Sequence, residues 1–117
     1  THPDYNCPTE TGFMPDIGAM IAFVKASTGG EPDLIVGKPN SLLVEYAAER
    51  TGIPVSAMCM IGDRLYTDIA LGEAARIPTI LVLSGETRAD EVVGSPYQPS
   101  YIFKDIGAVA DFLIPNG

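Results

Sequence analysis

The run Met60-Ile61-Gly62-Asp63-Arg64-Leu65-Tyr66-Thr67-Asp68 puts two carboxylates five residues apart, directly after a stretch that reads as a buried strand. A Gly-Asp pair leaving a strand end, with a second Asp in the first turn of the next helix, can hold a divalent cation. Carboxylate oxygens are hard donors and suit Mg²⁺. The plainer reading makes Asp63 a helix N-cap, a position Asp favours, and Asp68 an exposed helix residue. Spacing alone leaves the two readings about even. Upstream, Gly37-Lys38-Pro39 places a lysine at another strand-to-helix junction. Lys38 is either a point charge for a phosphate or a surface lysine at a turn. It does not belong to a P-loop, which needs Ser or Thr after the lysine and a second, earlier glycine. Here Pro39 follows, and no glycine occupies positions 31–36.

Other polar residues are less specific. Arg64 and Thr67 flank the acidic pair; a surface ion pair for Arg64 and a capping hydroxyl for Thr67 are the expectations. His2 is the single histidine and lies in a loop-like start, so neither a Ser-His-Asp triad nor a histidine-rich metal site can be built. Tyr97, Tyr101 and Phe103 read as packing residues, and Met58 and Met60 as core. Cys59 lies in an apolar run and reads as a buried small hydrophobe; Cys7 sits in a polar segment. Two lone cysteines are neither a disulfide framework nor a zinc site, and a reducing cytoplasm is the expected setting.

Composition narrows the class of partner. The chain has 117 residues, 46% hydrophobic and 19% charged, with a net charge of −8. An acidic chain of this kind argues against a nucleic-acid backbone or an anionic membrane surface. It does not argue against small phosphorylated ligands, because a bound cation reverses the field locally. No apolar run approaches the roughly 18 residues of a membrane span, and the start, Thr1-His2-Pro3-Asp4, has no basic and apolar leader pattern.

The elements that must position these residues alternate between strand and helix. Residues 1–14, rich in Pro, Thr, Asp and Gly, read as loop. Pro15 to Val24 opens a short helix stopped at Gly29-Gly30. Leu34-Ile35-Val36 reads as a strand ending at Gly37, and Asn40 or Ser41 caps a helix that Gly52 ends. Strand Met58–Ile61, helix Tyr66–Ala75 and strand Thr79–Leu83 follow. Then come a loop turning into a short helix by Val93, strand Tyr101–Phe103, and a helix capped by Asp105 that ends near Ile114. Continuous apolar strands alternating with helices predict an α/β fold with a parallel sheet covered on both faces. Right-handed crossovers gather the strand C-terminal ends, and with them Lys38 and Asp63, on one rim.

Together the pieces resemble the haloacid dehalogenase (HAD) superfamily, and within it the NagD-like, p-nitrophenylphosphatase-like branch. Gly37-Lys38-Pro39 resembles the third motif of that branch and Gly62 to Asp68 the fourth. Ile80 to Thr87 resembles the strand and loop that follow. Thr1-His2-Pro3-Asp4 resembles the Thr-Asn-x-Asp segment of the cap, with His2 in the Asn place, and Pro15 to Ala19 the closing helix of the cap. The resemblance implies a Rossmann-like HAD core, C-terminal half, over residues 33–117, with the tail of a C2-type cap over 1–32. It implies that Asp63 binds Mg²⁺, that Lys38 neutralises the phosphoryl group, and that Asp68 orients Lys38 or supports the water shell of the metal. The implied reaction is hydrolysis of small phosphate monoesters through an aspartyl-phosphate. The implied partner is a small phosphorylated metabolite, with no nucleic acid and no membrane, and with room for a homo-oligomer. One departure matters: the family nucleophile lies in an Asp-x-Asp-Gly sequence, and none occurs in residues 1–117. Asp4 and Asp16 do not end apolar strands. The chain is therefore expected to lack turnover alone and to expose apolar surface at a cut sheet edge. The competing expectation is a non-catalytic α/β binding or interaction domain whose acids only cap. A response-regulator receiver fits less well, since Lys38 precedes the acids.

Overall fold

A computed structural model describes residues 3–114. Its centre is a three-stranded parallel sheet in the order β3-β4-β5, formed by Met60–Gly62, Thr79–Val82 and Tyr101–Phe103. The register pairs Ile61 with Ile80 and Ile80 with Tyr101. In β4 the successive residues Ile80 and Leu81 are both buried. Neighbouring strand residues point to opposite faces, so both faces of the sheet are covered there. Leu81 packs with Leu65, Ile69 and Val92 on one side. A second cluster joins Val44, Leu71 and Ile77, with Met58 and Met60 against it. Each fully buried Leu or Ile contributes roughly 1.5–3 kcal/mol.

The helices follow their end signals. Asp16 caps α1 (Ile17–Thr28), its Oδ1 accepting the Ile17 N–H, and Gly29 closes it in the left-handed region at φ 70°. Helix α2 spans Leu42–Thr51, where Asn40 Oδ1 accepts the Leu42 N–H (3.0 Å) and Gly52 ends the helix. Helices α3 (Ala70–Ala75), α4 (Ala89–Val93) and α5 (Ile106–Leu113, capped by Asp105) complete the set. Phe112 of α5 lies 5.4 Å from the Phe103 ring and 6.3 Å from that of Tyr101, so these aromatics pack as expected. No described helix is long and apolar enough to cross a membrane.

Four expectations are corrected. Residues 1–14 are not all loop: Asn6–Thr9 (β1) and Gly12–Pro15 (β2) form an antiparallel hairpin around Glu10-Thr11. Pro8, one of the residues that suggested loop, sits in β1, in a two-stranded sheet with few ladder bonds to lose. Leu34-Ile35-Val36 forms no strand, because no described strand pairs with it, and Leu34 and Val36 are about half exposed. The strand expected at Met58–Ile61 begins at Met60, after a 3-10 turn at Val55–Ala57. That leaves Cys59 outside the strand and exposed, and both cysteines are free thiols. The helix expected from Tyr66 starts as a π-helical turn, Leu65–Ile69, before becoming α3.

Candidate active site

The two acids and the lysine meet at the C-terminal end of β3. Asn40 Nδ2 donates to the Ile35 carbonyl (3.0 Å) and the Asn40 N–H to the Gly37 carbonyl (3.1 Å). These bonds fold the segment around Lys38, and Val44 anchors the following helix in the core. The Lys38 ammonium then reaches Asp68 Oδ1 at 2.5 Å across thirty residues of sequence. Asp68 Oδ2 accepts two backbone N–H groups, from Asp63 (3.2 Å) and Arg64 (3.1 Å). Asp68 is only 2% exposed, so the picture of an exposed helix acid is wrong. It caps the strand end and grips Lys38 at once. The side chain of Lys38 stays one-third exposed, and among the described residues its ammonium, which has three donors, bonds only to Asp68.

The π-helical turn makes this possible. The N–H groups of both Asp68 (3.0 Å) and Ile69 (3.2 Å) point to the Arg64 carbonyl. The widened turn carries Asp68 back over the strand it left, and such turns recur at functional positions. Gly62 is required for the same reason. A Cβ there would fall inside the van der Waals envelope of the Asp68 carboxylate.

Asp63 is held by the loop after β4. Its Oδ2 accepts the Glu86 N–H (2.9 Å) and its carbonyl accepts the Thr87 N–H (3.1 Å). Gly85 lies against the carboxylate with no room for a Cβ. Asp63 is not the N-cap it was a candidate for: Arg64 holds that position and no side chain caps the turn, while Asp63 Oδ1 accepts no hydrogen bond from the described residues. A half-buried carboxylate with a fixed plane and one oxygen to spare is chemically suited to a hard cation. No group of three His, Cys, Asp or Glu among the described residues could hold a metal. Asp63 alone is no metal cage, and a lone carboxylate with a spare oxygen fits Mg²⁺, an ion that keeps several waters and uses one or two protein carboxylates.

Sequence reasoning undervalued Arg64 and Thr67. Arg64 makes ion pairs with Asp4 (3.3 Å) and with Glu86, and its side chain is only 21% exposed. Burial works against its charge, but the Glu86 partner lifts its pKa further above the usual guanidinium value. Tyr66 donates to Asp4 Oδ2 (3.0 Å); partial burial, then this bond, raise the phenol above its ordinary pKa. Thr67 does not cap: it is buried, and its hydroxyl has no partner among the described residues. Neither Asp4 nor Asp16 lies at a parallel-strand end, since Asp4 faces Arg64 and Tyr66 and Asp16 caps α1. His2 lies outside the described residues.

A parallel α/β sheet with an Asp-Lys pair and a second Asp on its C-terminal rim defines a class, and residues 35–109 match the HAD-hydrolase-like family. The chain belongs to the HAD superfamily, in its NagD-like branch, and it matches the C-terminal half of such proteins. It is 36% identical over 116 residues to an acid sugar phosphatase of Staphylococcus haemolyticus, covering 99% of this chain and 44% of that protein. The solved 4-nitrophenylphosphatase of Thermotoga maritima superposes with a TM-score of 0.86 at 48% identity, covering 94% of this chain and 42% of that one. A Mycobacterium tuberculosis glycerol phosphate phosphatase in complex with magnesium superposes with a TM-score of 0.82 at 34% identity, over 92% and 32%. The relatives are phosphatases, and the chain spans about two fifths of the length of the curated relatives it matches.

Proposed function

We propose that this chain is the C-terminal share of a Mg²⁺-dependent phosphatase acting on small phosphate monoesters, with residues 1–32 ending a C2-type cap and 33–117 completing the HAD core. The observation that carries the reading is the Lys38–Asp68 pair beside Asp63 on the strand rim. A merely capping acid has no reason to bury itself against a distant lysine. Lys38, oriented by Asp68, offers its remaining donors to the phosphoryl oxygens. Asp63, its plane set by Glu86 and Gly85, offers Oδ1 to the ion. Bound Mg²⁺ supplies positive charge at the transferring phosphoryl group. The attacking carboxylate must come from outside residues 1–117, because no Asp-x-Asp-Gly is present. Two free thiols agree with a reducing, cytoplasmic setting.

The test is hydrolysis of p-nitrophenyl phosphate with Mg²⁺ by the 117-residue chain, run beside a Mn²⁺ titration followed by NMR line broadening. The expected result is no turnover, with millimolar Mn²⁺ broadening the amides around Asp63 and Glu86, and the broadening lost in Asp63→Asn. Robust turnover, or broadening indifferent to Asp63→Asn, would falsify the proposal.

A further inference from the structure

We propose that Arg64 is a positioning residue that fixes the Asp63 carboxylate through Glu86 and ties its orientation to the N-terminal hairpin unit through Asp4. The inference rests on the reading of Asp63 as a metal ligand and goes beyond it.

Three observations carry it. First, the loop after β4 holds Asp63 by the Glu86 N–H on Oδ2, the Thr87 N–H on its carbonyl and the close approach of Gly85. That loop is fastened to the Asp63 segment by a side-chain bond, the ion pair of Arg64 Nη2 with Glu86 Oε1. Second, the other Nη of the same guanidinium pairs with Asp4 Oδ2, which also accepts the Tyr66 hydroxyl. A planar fork can hold two carboxylates at once, whereas a lysine ammonium is a single point. Third, Asp4 belongs structurally to the hairpin and α1. Its carbonyl accepts the Gly18 N–H (2.8 Å), and the Asp16 N–H bonds to the Tyr5 carbonyl (2.9 Å). Gly18 is pressed so closely against Pro3 and Asp4 that no Cβ fits. The Asp4 backbone is thereby locked to α1 while its side chain reaches the rim of the parallel sheet. A shift of the hairpin unit is carried through Asp4 and Arg64 to Glu86, whose own N–H sets the plane of the Asp63 carboxylate. Partners that orient a ligand in this way commonly change metal affinity by about 10–100-fold when removed.

The test uses the whole chain and two readouts. Amide hydrogen exchange without metal compares wild type with Arg64→Met, Arg64→Lys and Asp4→Ala, and Mn²⁺ affinity is measured from the EPR signal of free Mn²⁺. In Arg64→Met the Glu86 and Thr87 amides are expected to exchange at least about tenfold faster, while the Leu83 amide, bonded to the Phe103 carbonyl, stays within about twofold. Asp4→Ala should accelerate the same two amides, and Arg64→Lys should fall between wild type and Arg64→Met. Mn²⁺ affinity should drop about tenfold in Arg64→Met. Unchanged exchange at Glu86 and Thr87, an equal acceleration at Leu83, or an unaffected Asp4→Ala protein each overturns the proposal. If Asp63→Asn leaves Mn²⁺ binding intact, the metal reading fails by itself, and the metal-free exchange comparison still decides the role of Arg64.

Discussion

Truncating Asp68 should destabilise the fold more than removing the lysine it holds. Asp68 is one acceptor serving three donors: the Lys38 ammonium and the Asp63 and Arg64 N–H groups. A hydrogen bond to a charged group contributes about 1.5–3 kcal/mol, but the three do not add, because part of the loss is recovered from water. Lys38 is one-third exposed and rehydrates readily, and the two amides lie at a half-buried strand end. We therefore place Asp68→Ala at about 3 kcal/mol, the low end for breaking a buried pair from one side. Asp68→Asn keeps an oxygen for either Lys38 or the two amides but turns its NH₂ toward the other, and should cost about 2 kcal/mol. Lys38→Met leaves Asp68 with both backbone donors and should cost only about 1–2 kcal/mol. The assay is equilibrium urea unfolding by far-ultraviolet circular dichroism, with equal slopes required before midpoints are compared. The reasoning is refuted if Asp68→Ala costs under about 1 kcal/mol, the level of an exposed pair, or if Lys38→Met costs more than Asp68→Ala.

Other predictions follow from the same geometry. Gly62→Ala should cost about 1–3 kcal/mol through overpacking on Asp68, whereas Gly94→Ala, where a Cβ meets nothing within 4 Å, should be close to neutral by the same unfolding assay. The Tyr66 phenol, raised from 10.0 by partial burial and then by Asp4, should be missing from the high end of a 295 nm titration in Tyr66→Phe. A raised folded pKa means this stability contribution is complete below pH 10 and lost as pH climbs through the folded value; a component missing below pH 10 instead would contradict this. The accessible surface is 7995 Å², against about 6,100 Å² for a compact monomer of 12.4 kDa, and Phe13 and Phe23 are each 76% exposed. Sedimentation should therefore show concentration-dependent association, reduced in Phe23→Glu; a clean monomer at all concentrations would count against it.

What the sequence made legible were the features with local causes. Strand Tyr101–Phe103 and the Asp16, Asp105, Gly29 and Gly52 helix ends are written in neighbouring residue types. What it hid depends on distant partners. Leu34 to Val36 has strand composition, yet a strand exists only where a ladder partner does. The β1–β2 hairpin was masked by Pro8, although Gly12, at φ 153°, marked the turn that Phe13 and Met14 follow. The burial of Asp68 was not legible, because it is decided by a lysine thirty residues away and by a π-helical turn with no sequence signature. Arg64 was read as a surface pair, since Asp4 and Glu86 lie far from it in sequence. The resemblance of Gly37-Lys38-Pro39 and Gly62 to Asp68 to two family motifs supplied the pairing that spacing alone left open.

The central claim is that Lys38, Asp63 and Asp68 are the contribution of this chain to a divided phosphatase site. The most direct measurement is the kinetics of a chimera that joins the preceding segment of the Thermotoga maritima 4-nitrophenylphosphatase, whose fold this chain shares at a TM-score of 0.86, to residues 1–117. The account predicts Mg²⁺-dependent hydrolysis of p-nitrophenyl phosphate, falling about a hundredfold or more in kcat with Lys38→Ala or Asp63→Asn. A folded chimera that keeps its activity after either substitution would contradict it.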